Sequence, residues 1–209
     1  MKPYKTLMGR GEAEFIINKS RFIGHGAPAQ TEEEALSFLA ETRREHKDAG
    51  HNCYAYIIGA NMGIMRYSDD GEPGGTAGLP IIETMKSREV TDCCVVVTRY
   101  FGGVLLGAGG LARAYARGAS AALHAARVAE MHPTARYVIA VPYRLHSKVE
   151  HYLQSAPVLV EDNVFGENVI ITVIIKNCDT DTLINGLAEL SDGAIEPILT
   201  DEIYYPWPM

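Results

Sequence analysis

Two periods organise the apolar positions of this chain and divide it into strand-length runs and longer amphipathic stretches. "EAEFIINKSRFIGHGAPA" is an extended apolar stretch broken by Gly24, Gly26 and Pro28. "TEEEALSFLAETRREHK" follows at helical period, with Thr31 and Glu34 at capping-box spacing and Leu36, Phe38 and Leu39 as its apolar face. "NCYAYIIGA" and "GIMRYS" predict a hairpin turning near Asn61-Met62-Gly63. A short helix is expected near "LPIIETMKS", then a buried strand over "CCVVVTRYF". "LARAYARGASAALHAARVAEM" predicts an Ala-rich helix ending before Pro133. The sum is an α+β arrangement with helices over a mixed sheet.

The remainder is more regular. "RYVIAVPY" predicts a strand and "RLHSKVEHYLQS" a helix with Leu145, Val149 and Tyr152 on one face. "PVLVEDNVF" and "NVIITVIIK" pair around Gly166-Glu167; a helix with Leu183, Leu187 and Leu190 inward follows, and "AIEPILTDEIYY" closes as a strand. The order βαββαβ predicts a ferredoxin-like domain over residues 135–209, after a first domain over residues 1–134.

Charge supports that division. Residues 1–134 hold 15 Lys+Arg and 15 Asp+Glu, whereas residues 135–209 hold 4 and 11 and account for the whole net charge of −7. An acidic second domain is a poor partner for phosphates, and no DNA partner is expected. No apolar run reaches the length of a membrane span, and the first residues lack a signal peptide's apolar segment. Cys53, Cys93, Cys94 and Cys178 show no CxxC spacing, so a reduced, cytoplasmic protein without a membrane partner is expected.

Twelve of the twenty glycines fall between Gly59 and Gly118, which makes them a local feature rather than a compositional one. "YSDDGEPGGTAG" sets Asp69, Asp70 and Glu72 among glycines; this pattern suits either a carboxylate-stabilised turn or oxygen ligands and acid–base groups. "RYFGGVLLGAGGLARAY" brings Arg99, Gly102, Gly103, Gly107, Gly109 and Gly110 to the start of a helix bearing Arg113 and Arg117. Bare backbone there suits either anion binding or close strand-to-helix packing, and neither GxxxxGK[ST] nor GxGxxG is present. Arg113, Arg117, Ser120, His124 and Arg127 form a basic-polar stripe on that helix. His51 and Cys53 share a strand face and are read as structural, and the spacing of His46 and His51 does not suit a zinc site. The two glycine-rich stretches are expected side by side, with Asp69 or Asp70 pairing Arg99.

"KSRFIG", "HNCYAY", "SDDGEPGGTAG" and "TRYFGGVLLGAGGLARAY", in that order, resemble the signature blocks of the IMPACT family, and more closely its bacterial YigZ-type members. The resemblance covers roughly residues 15–125. It implies a first domain similar to the second domain of a small-subunit ribosomal protein, and a second similar to a ferredoxin-like domain of elongation factor G. Eukaryotic relatives are similar in this first domain and act in starvation-linked control of translation initiation through protein partners; they carry a different additional domain, which this chain lacks, so that partner set is not expected here. Leu79 and Leu105 stand where related sequences often carry Lys or Arg.

The expected function is therefore a translation-linked regulatory binding protein that meets ribosome, RNA or a translation factor through the glycine-loop face. No catalytic residue, metal or cofactor is assigned. Two alternatives stand beside it. One is a phosphate- or nucleotide-directed enzyme using Asp69, Asp70, Glu72 and Gly107–Gly110; the other is a protein-only adaptor docking through the acidic domain.

Overall fold

The computed structural model describes residues 2–207. Those residues form an α+β protein of two sheets and five α-helices, and they divide into two compact units. The first is Tyr4–Glu130; the second is Met131–Trp207 with residues 2–3.

The first unit opens with β1 (Tyr4–Leu7), β2 (Gly11–Ile17) and β3 (Ser20–Pro28). What the apolar pattern presents as one extended stretch is a hairpin, because Asn18 and Lys19 both adopt positive φ (46° and 65°) and register Ile17 against Ser20. Two left-handed residues make the tight turn whose twist matches the flanking strands. Next come α1 (Glu32–Glu45), β4 (His51–Ile58), β5 (Ile64–Ser68), α2 (Gly78–Ser87), β6 (Cys93–Tyr100) and α3 (Gly107–Ala125). The Thr31 side chain caps α1 by accepting from the Glu34 N–H, as its spacing predicts. Phe38 and Leu39 are buried, but Leu36 is exposed, since it lies off the face that meets the sheet.

The sheet runs β2-β3-β6-β4-β5 and is antiparallel at every junction, not mixed. β3 and β4 run in the same direction, as do β5 and β6, but each of these pairs is separated by one intervening strand, so no neighbouring strands are parallel. β6 lies between β3 and β4 with both faces covered. Its alternate residues Cys93, Val95 and Val97 join the core against α2 and α3, while Cys94 and Val96 join the core against α1. Adjacent side chains of a strand point to opposite faces, which separates the neighbouring thiols of Cys93 and Cys94.

The sequence extends the Ala-rich helix almost to Pro133, but α3 stops at Ala125. Arg127 takes φ 57°, and β7 (Val128–Val141) begins at the next residue and runs through Pro133. A left-handed residue cannot continue a right-handed helix, whatever its neighbours' propensities.

In the second unit β7 is followed by α4 (Tyr143–Ser155), β8 (Val158–Phe165), β9 (Val169–Lys176), α5 (Thr180–Ser191) and β10 (Ile198–Trp207). β9 lies between β7 and β8, and β10 pairs with β7. Alternate residues Ala135, Tyr137, Ile139 and Val141 of β7 and Val169, Ile171, Val173 and Ile175 of β9 share one core. Val149 and Leu153 of α4 and Leu183 and Leu187 of α5 complete it. The indole N–H of Trp207 donates to the Thr134 hydroxyl at 2.9 Å. Among the described residues no helix is long and apolar enough to cross a membrane.

Candidate functional site

The acidic loop follows β5 and is shaped by its own carboxylates. Asp70 adopts φ 45° and Gly71 φ 88°, turning the chain back toward β4. Asp69 accepts from the backbone N–H groups of Gly75, Ala77 and Gly78 at 2.9, 2.9 and 2.8 Å. It therefore places a fixed negative charge at the start of α2, where unpaired N–H groups and the helix dipole favour one. Burial alone would raise the Asp69 pKa, yet those three donors together hold it below the ordinary 3.8. Folding lowers this pKa, so the stabilisation is complete above the unfolded-state value and is lost as pH falls through the folded one. Asp69→Ala is expected to lose about 1–2 kcal/mol at neutral pH. Its deficit should narrow on acidification below the ordinary carboxylate range, as urea titrations of both proteins at neutral and acid pH will show.

Asp70 turns the other way. It accepts from Arg43 of α1 at 2.6 Å and from the backbone N–H of Asn52 at 2.7 Å. The expected pairing of Asp69 or Asp70 with Arg99 is thus replaced: Arg99 donates to Glu72 at 2.7 Å. Which carboxylate faces inward follows from the turn at Asp70-Gly71, which directs Glu72 beneath the loop. The Arg99 and Glu72 side chains are only 6% and 3% exposed, and Tyr115 of α3 donates to the same Glu72 oxygen at 2.7 Å. The Arg99 guanidinium carbon lies 5.6 Å from the Phe22 ring centroid and 5.3 Å from that of Phe101.

β4 braces the loop from below. The Cys53 thiol donates to the Asp69 carbonyl at 2.9 Å, and burial pushes its pKa up to about 12, far from a thiolate nucleophile. His51 Nδ1 lies 2.8 Å from the Asp70 carbonyl, which can only accept, so Nδ1 carries the proton. His51 Nε2 faces Glu72 at 4.0 Å. Among the described residues no group of three or more His, Cys, Asp or Glu is placed to hold a metal ion.

The second glycine stretch divides in two. Gly102 is packed on the backbone of Lys19 and Ser20 and donates to the Ser20 hydroxyl at 3.1 Å, leaving no room for a side chain. Gly103, Gly107 and Gly109 are open, and Gly110 lies against Leu106. Leu106 occupies the cap position of α3, where no side chain accepts from the first turn and no acidic residue lies within it. The two stretches meet across a cavity of about 470 Å³ lined by His51, Glu72, Arg99, Phe101, Leu105 and the first residues of α3. Leu105 is 85% exposed at its mouth.

Arg113, Arg117 and His124 are exposed along α3, and the Arg117 guanidinium lies 4.5 Å from the Phe15 ring centroid; Arg127, expected on the same helix, is exposed just past its end because α3 stops at Ala125. Arg88 joins the stripe by donating to the Ser120 hydroxyl at 2.7 Å. Arg43, Ser20, Tyr115 and Arg88 are the participants missed in the sequence. Arg43 and Arg88 reach the loop and the stripe from elements with no motif that announces them, whereas Ser20 and Tyr115 lie within the blocks "KSRFIG" and "RYFGGVLLGAGGLARAY", whose pattern does not give their side chains a partner.

The description "Impact N-terminal domain" matches residues 18–123, and a domain of unknown function, DUF1949, matches residues 139–194. The chain is 40% identical to IMPACT family member YvyE of Bacillus subtilis, over 91% of this chain and 88% of that protein. The chain belongs to the IMPACT family. IMPACT family member YigZ of Escherichia coli is 32% identical over 89% of this chain and 92% of its own length. A solved structure titled "Crystal structure of an hypothetical protein" superposes with a TM-score of 0.61 at 30% identity. It covers 96% of this chain and 98% of that one. The glycine loops, the Glu72–Arg99 pair and the first seventeen residues of α3 all lie inside the segment that matches the IMPACT domain.

Proposed function

We propose that the protein is a cytoplasmic, translation-linked regulator whose α3 face meets RNA phosphates, on the ribosome or on a free RNA. The observation that carries this reading is the exposed stripe of Arg113, Arg117, His124 and Arg127, joined by Arg88 at Ser120. Among the described residues no ion pair neutralises Arg113, Arg117 or Arg127, so their charge is available to a partner. The stripe also begins at a helix start without a side-chain cap, where backbone N–H groups favour an anion. The family's role in translational control supports the same reading.

Its finer parts are a ribosomal-protein-like domain over residues 1–134 and an acidic ferredoxin-like domain over residues 135–209. The second is supported by the strand order β10-β7-β9-β8, with α4 and α5 packed on one core. Fold likeness alone does not give function, so the α3 face carries the test. Changing Arg113 and Arg117 together to Glu should weaken co-sedimentation with ribosomes or RNA on the order of tenfold or more at 0.1 M salt. Wild-type binding should itself fall steeply as salt rises, because phosphate contacts release counterions. Sedimentation indifferent to both salt and the charge reversal would favour the protein-only adaptor.

A further inference from the structure

The first unit treats its two glycine-rich helix starts differently. At α2 the chain supplies its own anion, the Asp69 carboxylate, to three backbone N–H groups. At α3 it supplies none, although the helix is 19 residues long and begins beside a cavity. Up to four N–H groups of a first turn lack partners within the helix, and together they favour negative charge.

A second, independent feature lies in the same cavity. Arg99 lines it, is nine-tenths buried, and has a guanidinium Nε with no acceptor among the described residues. A buried N–H without a partner is uncommon in a folded protein, and an acceptor oxygen held beside Arg99, from water or from a bound group, would account for it. Glu72 lies in the cavity too, but its Oε1 already accepts from Arg99 and Tyr115, and its charge is balanced by the guanidinium. Arg113 adds an uncompensated cation: its Nη1 approaches Gly109 closely enough that a Cβ there would lie 3.7 Å away.

The rest of the wall is apolar. Phe101 and Leu105 are 56% and 85% exposed, and Leu106 and Leu111 complete the lining. An exposed ring at the mouth of a site for anions suits a flat aromatic body, since every nucleobase presents a face that stacks. The volume is that of a small-ligand site.

We propose that this cavity binds a nucleoside 5′-monophosphate group, with its phosphate on the first-turn N–H groups of α3 and its base against Phe101. The group belongs either to a free nucleotide or to the 5′ end of an RNA. Its place at the head of the basic stripe allows both, but the cavity stands whether or not the stripe meets RNA.

The test uses thermal melting of the full chain, following the first unit's transition, with four probes. These are AMP, adenosine, and one short oligoribonucleotide carrying a 5′-phosphate or a 5′-hydroxyl. AMP near saturation is expected to raise the wild-type transition by about 3 °C, and adenosine by nothing measurable. A response to AMP assigns the free nucleotide, and a response to the 5′-phosphorylated oligonucleotide alone assigns the RNA end. Gly109→Asp places a carboxylate in the helix's first turn, so its transition should rise without ligand and then ignore every phosphate probe. Gly109→Ala adds only a methyl group in ordinary contact and should keep the wild-type response. No response to either phosphorylated probe, an equal response to adenosine, or an undiminished response in Gly109→Asp would overturn the proposal.

Discussion

Glu72→Gln is expected to destabilise the first unit by about 3–5 kcal/mol, because it leaves the Arg99 guanidinium charged, buried and without its carboxylate. Little solvent reaches either side chain to offset the loss. The Tyr115 hydroxyl, which donates to the same oxygen, keeps a neutral acceptor and limits the damage to the charge itself. Urea denaturation of the full chain, followed through the first unit's transition, measures the change. The double variant Glu72→Gln with Arg99→Gln removes both charges and should recover a large part of the lost stability. The coupling energy from the cycle then isolates the pair from its surroundings. A single variant within about 1 kcal/mol of wild type would show that the charge is relieved by water, and that the pair is no buried anchor.

Gly24→Ala should have a comparable effect for a different reason. A Cβ at Gly24 is driven into the carbonyl oxygen of Gly118 and meets Ala122 at 3.2 Å, so α3 must lift from β3. From the other side, a Cβ on Gly118 meets the Val97 side chain at 2.7 Å. The obstructing atom at Gly24 is backbone, which cannot rotate aside, and overpacking of this kind costs about 3 kcal/mol or more. Gly74→Ala is the matched control, since nothing lies within 4 Å of its Cβ and its backbone is not left-handed. It should be neutral or stabilise by a few tenths of a kcal/mol, roughly, through the unfolded chain. Melting of the two variants side by side separates a glycine required by contact from one that is merely tolerated.

These two positions show what was legible in the sequence. β6 could be read directly, because a continuous run of β-branched residues with both faces apolar suits only a covered strand. The β2–β3 hairpin could not: Asn18 is a weak turn signal, Lys19 is none, and the apolar residues on either side run together. The end of α3 was hidden for a related reason, since "AARVAEM" has helical composition and a single left-handed residue, Arg127, overrides it. For the site, composition identified both loops and the sequence placed them side by side. Which carboxylate pairs with Arg99 depends on two backbone angles at Asp70 and Gly71, and no count of charges encodes them. The partners of Asp70 and of Gly102, Arg43 and Ser20, come from α1 and the start of β3, about 27 and 82 positions away. Contacts over such distances belong to the fold rather than to any motif.

The position of β6 also bears on how the chain emerges from the ribosome. β2–β3 and β4–β5 are each hairpins of neighbours in sequence, so both can close as soon as they are made. The strand that joins them into one sheet is synthesised after all four, and it enters between β3 and β4 rather than at an edge. Until Cys93–Tyr100 arrives, the nascent chain carries two unfinished half-sheets whose inner edges offer unpaired N–H and C=O groups to any passing strand. The hydrophobic run that made β6 easy to recognise is thus the closing piece, and a polypeptide stalled before it would be the species most in need of a chaperone.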